Sequence, residues 1–149
     1  MQEIRDFRSD TVTKPTPQML KAMVEAEVGD DLQGDDPTVK KLEAMAAAMF
    51  GKEAGLFVVS GTMANQVAIM ALTQPGDEVL VGEKSHIFNL EAGGLAAISG
   101  VQSRVIPTDE KLFDPSINES LIRPRGVQSP RTSVLCLENT YDLNRGIPI

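Results

Sequence analysis

Apolar and polar positions in the first fifty residues follow a helical period. Two stretches carry apolar side chains every three or four residues, and each opens with a capping residue followed by proline, Thr16-Pro17 and Asp36-Pro37. Proline suits the first helical position, and the oxygen before it can accept a main-chain N–H bond. The pattern therefore predicts two helices, the second of which ends at Gly51.

From residue 51 onward, short continuous apolar runs are separated by helical stretches. The runs predict four strands, at residues 56–59, 78–81, 101–106 and 133–137. Helices are predicted at 63–72, around 90–96 and at 114–121. Continuous apolar strands separated by helices are typical of a parallel sheet buried on both faces. The predicted fold is α/β, a parallel-type sheet with helices on both faces, and the lack of a final helix before Ile149 suggests an incomplete domain.

Composition narrows the class of protein. The 149 residues are about one domain long, and 42% hydrophobic and 23% charged residues are ordinary for a soluble globular domain. A net charge of −7 argues against nucleic acid or an anionic membrane as partner. No apolar run approaches the roughly 20 residues that span a bilayer, and the first residues do not resemble a signal peptide. Because Cys136 is the single cysteine, a reducing cytoplasm is predicted, and its apolar neighbours favour a buried hydrophobe over a nucleophile.

The turn Ser60-Gly61-Thr62 joins a predicted strand to a predicted helix. A helix start leaves main-chain N–H groups unpaired, and the positive end of the helix dipole lies behind them. The two hydroxyl groups add donors, and glycine lets an anion approach the main chain. The pattern predicts a phosphate site, although an ordinary capped turn would have the same residues.

Other polar residues follow the remaining predicted strands, at His86, Thr108 and Glu138-Asn139. In a doubly wound sheet, ligands bind beyond the carboxyl ends of the strands. The imidazole of His86 could stack on a planar ligand or exchange protons there; the alternative is a surface-loop histidine. Glycine-rich nucleotide motifs are absent, and one cysteine with one histidine cannot build a metal cluster, so no metal site is predicted.

Six sequence blocks carry a family resemblance. They are DFRSDTVTKP at 6–15, EVGDD at 27–31, GDDPTV at 34–39, SGTMAN at 60–65, EAGG at 91–94 and CLENT at 136–140. In order and spacing they resemble the low-specificity L-threonine aldolases over nearly the whole chain. The resemblance implies a pyridoxal 5'-phosphate enzyme of the aspartate-aminotransferase fold type (fold type I) that cleaves β-hydroxy-α-amino acids to glycine and an aldehyde. It also implies a homotetramer with active sites shared between subunits.

The resemblance further implies a domain organisation. Residues 1–50 would form an N-terminal segment with two helices that contacts substrate and other subunits. Residues 51–149 would form the N-terminal part of the large domain that binds pyridoxal phosphate.

The resemblance assigns roles to individual residues. Ser60, Gly61 and Thr62 would hold the cofactor phosphate, and His86 would stack on the pyridine ring and take part in proton transfer. Ser9 would bind the substrate carboxylate.

Two further groups of residues are implied less closely. Glu138 and Asn139 would face the cofactor from a strand end. Thr11 and Thr13 match positions near a cation site in some relatives.

Two departures bear on the activity. Gln128 stands where most relatives carry a histidine that acts on the β-hydroxyl of the substrate, and a neutral amide can hydrogen-bond that hydroxyl but cannot act as its general base. The Schiff-base lysine of the family would lie downstream of Ile149, and Lys84 is not in its motif. The 149 residues alone are therefore expected to be inactive, either as part of an active aldolase or as a non-catalytic fragment. A β-eliminating lyase is the alternative activity.

Overall fold

The computed structural model describes residues 5–107, 114–142 and 145–149, in two compact units, Met1–Phe57 and Val58–Ile149. The first unit contains helices α1 (Pro17–Glu25) and α2 (Pro37–Met49), with short 3-10 helices at Asp10–Val12 and Asp31–Gln33. The helix starts are those that the sequence predicts. Thr16 Oγ1 accepts the N–H of Met19 at 3.2 Å, and Gly51 with φ 61° follows the end of α2.

Asp36 connects the start of α2 to the preceding loop. Its carboxylate accepts the main-chain N–H groups of Thr38 at 2.9 Å, Val39 at 2.8 Å and Gly29 at 3.0 Å. These bonds, led by the one from Val39, lower the pKa of Asp36 below its ordinary value. The carboxylate thereby caps the helix and fixes the loop that leads into it.

The second unit is a three-stranded sheet with helices. Its elements are α3 (Gly61–Leu72), β1 (Glu78–Gly82), α4 (His86–Asn89), α5 (Gly94–Ala97), β2 (Gln102–Ile106), α6 (Pro115–Leu121) and β3 (Thr132–Cys136). The strand order is β2-β1-β3, and both pairings of β1 are parallel. The predicted α/β fold with a parallel sheet is confirmed.

Each face of the central strand packs against a different set of elements. Val79 and Val81 contact Ile69 of α3 and Leu95 of α5 on one face. On the other face, Leu80 packs in a second cluster, whose other members are Ile106, Tyr141 and the partly buried Leu121 of α6. All five residues of β1 are buried, which explains why its sequence is continuously apolar after the first residue.

The strand predicted at residues 56–59 is wrong. No ladder forms there, and Leu56 and Val59 expose 71% and 84% of their surface. A strand requires a neighbouring backbone to pair with, and none of the described segments pairs with this one. The apolar run alone could not reveal that.

The single helix expected around residues 90–96 is also wrong. Two one-turn helices, α4 and α5, occupy this region, separated by Ala92 with φ 52° and Gly93 with φ 71°. Left-handed residues interrupt a right-handed helix, so the chain turns between them. The turn brings Glu91 toward α3.

A network of charged and polar groups surrounds the amino end of β1. The carboxylate of Glu78, fully buried, accepts bonds from Arg123 Nε at 2.9 Å, Thr132 Oγ1 at 3.1 Å and Gln102 Nε2 at 3.2 Å. These partners begin or precede the flanking strands, so the network ties the three strands together at this edge.

In the described parts of the chain, no helix has both the length and the apolarity to cross a membrane.

Candidate functional site

A tight turn places His86 at the carboxyl end of the central strand. β1 ends at Gly82, and the hydroxyl of the buried Ser85 donates to the Gly82 carbonyl at 2.8 Å. α4 then begins at His86, whose imidazole is half exposed. The position is the one that the sequence predicts for it, at the edge where parallel sheets bind ligands.

A buried carboxylate holds the imidazole. Glu91, whose side chain is fully buried, lies 2.9 Å from His86 Nδ1 through its Oε1 atom. The same carboxylate accepts bonds from Asn65 Nδ2 at 2.6 Å and Gln66 Nε2 at 3.1 Å. A charged carboxylate only accepts hydrogen bonds, so it pairs with an imidazole that has its proton on Nδ1. The cluster thus joins His86 to helix α3.

The first turn of α3 lies at the same edge of the sheet. Ser60 Oγ caps the helix by accepting the N–H of Met63 at 3.1 Å. The N–H groups of Gly61 and Thr62 come first in the helix and have no acceptor within it. No heavy atom lies within 4 Å of the place a Cβ on Gly61 would take, so an anion can approach the main chain there.

The segment after β3 also contacts the site, in addition to α4 and α3. Glu138 Oε2 accepts the main-chain N–H of His86 at 2.5 Å, so the predicted neighbours His86 and Glu138 do meet. Asn139 Oδ1 instead accepts the N–H of Ile149 at 3.3 Å. Its side chain therefore binds within its own segment.

Tyr141 fixes the loop between β1 and α4. Its hydroxyl oxygen accepts the main-chain N–H of Lys84 at 2.8 Å. Its ring packs against Gly82, since a Cβ added to that glycine would lie only 2.8 Å from Cε2 of the ring. The ammonium of Lys84 lies 3.6 Å from the buried carboxylate of Asp142. Lys84 thus forms an ion pair with an acid in the segment after β3.

Cys136 ends β3 and packs against the core. Burial, with a contribution from the charge of Glu91, raises the pKa of its thiol to about 11. A thiol with such a pKa is protonated at neutral pH and is a poor nucleophile. This agrees with the interpretation of Cys136 as a packing residue.

Gln128 lies at the opposite edge of the sheet. It precedes β3 in an exposed loop, whereas His86 follows the carboxyl end of β1. Five strand residues at about 3.3 Å each put roughly 16 Å between those edges. The structure therefore does not bring Gln128 to His86 within one chain.

An open groove of about 680 Å³ lies beside the Gln128 loop, and three arginines line it. Two of them are engaged: Arg123 with Glu78, and Arg131 with Asp77. The groove is at the amino edge, away from the helix start and the histidine. The candidate site is therefore defined by the hydrogen bonds at the carboxyl edge.

Ser9 belongs to the first unit. Its hydroxyl caps the first 3-10 helix by accepting the N–H of Thr11 at 3.2 Å and lies 2.9 Å from Thr11 Oγ1. Thr13 Oγ1 donates to the Asp10 carbonyl at 2.6 Å.

Thr108 lies outside the described residues. Among residues 5–107, 114–142 and 145–149, no group of three acidic, histidine or cysteine side chains is arranged to hold a metal.

Sequence reasoning missed the residues that hold His86. Glu91 entered only as part of a family motif, and Asn65 and Gln66 were assigned no role. Two signals could have found them. A lone acid follows His86 within a stretch of small and apolar residues, and two adjacent amides interrupt an otherwise apolar helix. Such polar residues require partners when buried.

The helix start and the histidine beside it belong to a chain whose sequence matches a known family. Residues 6–149 match the beta-eliminating lyase family, and the chain belongs to that family. It is 43% identical, over 92% of its length, to the low specificity L-threonine aldolase of Escherichia coli K12, and 46% identical, over 91%, to low-specificity L-threonine aldolase 1 of Arabidopsis thaliana. An uncharacterized protein of Caenorhabditis elegans is 44% identical over 95% of the chain. The resemblance seen in the sequence motifs is confirmed.

The relatives are considerably longer than this chain. The matched region covers 41% of the Escherichia coli protein, 39% of the Arabidopsis protein and 34% of the Caenorhabditis protein. The chain thus spans about two fifths or less of the length of these relatives.

Proposed function

We propose that the complete gene product is a pyridoxal-phosphate-dependent aldehyde-lyase. It cleaves β-hydroxy-α-amino acids of the L-threonine or L-allo-threonine type to glycine and an aldehyde. The observation that carries the proposal is the connection between helix α3 and His86 through Glu91. It supports a site in which the start of α3 binds a phosphate and the flat ring of His86 packs on the rest of the cofactor. The names of the relatives support the same activity.

The residues present fit the phosphate group of this cofactor. The N–H groups of Gly61 and Thr62 begin a helix of 12 residues, and the hydroxyl of Thr62 adds a third donor. Ser60 caps the same turn and keeps it in the helical conformation. When bound, pyridoxal phosphate supplies an electron sink for cleavage of the Cα–Cβ bond.

The other residues have binding and positioning roles in this proposal. His86 stacks on the cofactor ring and can pass a proton through Nε2, since Nδ1 is engaged by Glu91. Glu138 fixes the main chain at His86, and Asn139 borders the site from the same segment. Ser9 binds the substrate carboxylate.

Gln128 requires a second copy of the protein. Because it lies at the amino edge, it can meet the β-hydroxyl of a substrate at His86 only in the site of another subunit. The proposed role of Gln128 therefore goes together with the proposed homo-oligomer, a tetramer with shared active sites. Its exposed loop is accessible for such a contact. The single cysteine of these 149 residues supports a cytoplasmic location.

A β-eliminating lyase is the second candidate. The matched family carries that name, and an amide at position 128 removes the base that would take the β-hydroxyl proton. Product analysis of the gene product with threonine and serine separates the two. Glycine with an aldehyde supports the aldolase, and a keto acid with ammonia supports the eliminating lyase.

The phosphate corner can be tested by binding. We expect Thr62→Ala to weaken pyridoxal phosphate binding by about 1–3 kcal/mol, because a charge-assisted bond is lost. Ser129→Ala removes a hydroxyl at the opposite edge and should bind like wild type. Equal affinity of both variants and wild type in an absorbance titration would remove Thr62 from the proposed site.

A further inference from the structure

The carboxylate of Glu91 connects the His86 imidazole to the side chains of helix α3. It is fully buried, and burying a charge is costly unless hydrogen bonds compensate. Its two oxygens take bonds from Asn65, Gln66 and His86, which come from two separate elements. Gln66 is buried and Asn65 partly buried, whereas half of the imidazole is exposed.

The Gln66 amide has a partner at each end. Its Oε1 accepts the hydroxyl of the buried Ser99 at 2.8 Å, and its Nε2 donates to Glu91 at 3.1 Å. The backbone of α5 lies directly behind the amide, since a Cβ on Gly94 would come within 2.8 Å of Nε2. Asn65 and Gln66 both donate amide N–H groups to the oxygens of Glu91.

We propose that Glu91 is the positioning residue of His86. It fixes the ring as the Nδ1–H tautomer, so that Nε2 is left without a proton and can take one up from a bound molecule. It also couples the orientation of the ring to the helix that offers its N-terminus for phosphate, because Asn65 and Gln66 lie one turn after Gly61 and Thr62. The catalytic use of this arrangement rests on the proposed function, whereas the tautomer itself does not.

The tautomer can be observed directly in this chain. His86 is the only histidine, so a ¹⁵N spectrum of labelled protein contains the two ring nitrogens of this residue alone. At about pH 8, where an ordinary imidazole is neutral, we expect a protonated Nδ1 and an unprotonated Nε2. A wild-type spectrum with the proton on Nε2 would overturn the proposal, whatever the variants do.

A pair of variants separates contact with the ring from contact with the main chain. Glu91→Gln keeps the size of the side chain but can also donate, so we expect the ring to shift toward a mixture of tautomers. Glu138→Gln changes only the partner of the His86 main-chain N–H and should keep the wild-type ring signals. Unchanged signals in a folded Glu91→Gln protein would contradict the proposal, and the wild-type tautomer still decides the question if that variant does not fold.

The coupling to the cofactor is tested in the gene product loaded with pyridoxal phosphate. Glu91→Gln should shift the absorbance maximum of the cofactor, and Glu91→Asp should restore it in part, because an acceptor is kept. A protein that binds no pyridoxal phosphate but has the expected tautomer would refute the proposed function and leave the positioning role intact. A loaded Glu91→Gln protein with the wild-type spectrum would refute the coupling.

Discussion

The backbone of Gly94 packs directly against the side-chain amide of Gln66. A Cβ added to Gly94 would lie 2.8 Å from Nε2 and 2.9 Å from Cδ of the Gln66 amide. The close approach of α5 to α3 therefore requires glycine at position 94 because there is no space for a side chain, and not because of its backbone conformation. The contact holds the amide that donates to Glu91.

The first prediction concerns this contact. We expect Gly94→Ala to lower the free energy of unfolding by about 1–3 kcal/mol, the usual cost of overpacking a filled site. Urea denaturation measures the change. Gly126→Ala is the matched control, because nothing lies within 4 Å of its added Cβ, and it should unfold at the wild-type midpoint. Equal midpoints for the two variants would contradict the packing argument.

The second prediction concerns acid. The Arg131 guanidinium, together with the Gln74 N–H, lowers the pKa of Asp77 from 3.8 to about 2. A lowered pKa in the folded state stabilises the protein above the unfolded value, and this stabilisation is lost as the pH falls through the folded value. We therefore expect the urea midpoint to fall as the pH goes from 3.8 to about 2.

Two variants check the source of that loss. Asp77→Asn should show a smaller change across the same pH range, since it has no carboxyl to titrate. Asp35→Asn, in an exposed turn, should keep the full wild-type response. The assignment to Asp77 fails if its variant loses stability with acid as steeply as wild type.

The third prediction concerns stacking at His86. In the gene product, His86→Phe should keep most of the affinity for pyridoxal phosphate, because a flat ring remains, while losing the Nδ1 bond to Glu91. His86→Ala should lose most of the affinity. Absorbance titration compares them, and wild-type affinity in both variants would return His86 to the status of a surface residue.

The fourth prediction concerns the amide at position 128. A general base contributes about 10²–10⁴-fold to a proton-transfer step, so Gln128→His should raise threonine cleavage by the gene product. Because Gln128 lies at the amino edge, the gain should require the oligomer and disappear on dilution to single subunits. No gain in an enzyme that already cleaves threonine well would show that another group takes the proton.

Local signals in the sequence predict much of this fold. Capping residues followed by proline mark the starts of α1, α2 and α6, and the apolar run from Val79 to Val81 marks the central strand. The signals fail where partners are distant along the chain. The run at 56–59 lacks a pairing strand, and Glu91 meets Asn65 across 26 residues, which no local pattern encodes.

The site residues divide in the same way. The helix start at Ser60–Thr62 and the position of His86 after a strand follow from sequence, because parallel strands share one carboxyl edge. The separation of Gln128 from His86 was not foreseen. The family resemblance implies a role in one active site for both positions, whereas the edge on which each lies depends on the direction of the strands.

The two ends of β1 carry different groups, and this has a consequence for how the protein tolerates change. Glu78 and its partners tie the strands at one end, and His86 with its supporting carboxylates lies about 16 Å away at the other. Substitutions at sites this far apart without shared partners usually have additive effects on free energy. Substitutions around His86 can therefore alter that end of the strand while the anchoring of the sheet at Glu78 is left as it was.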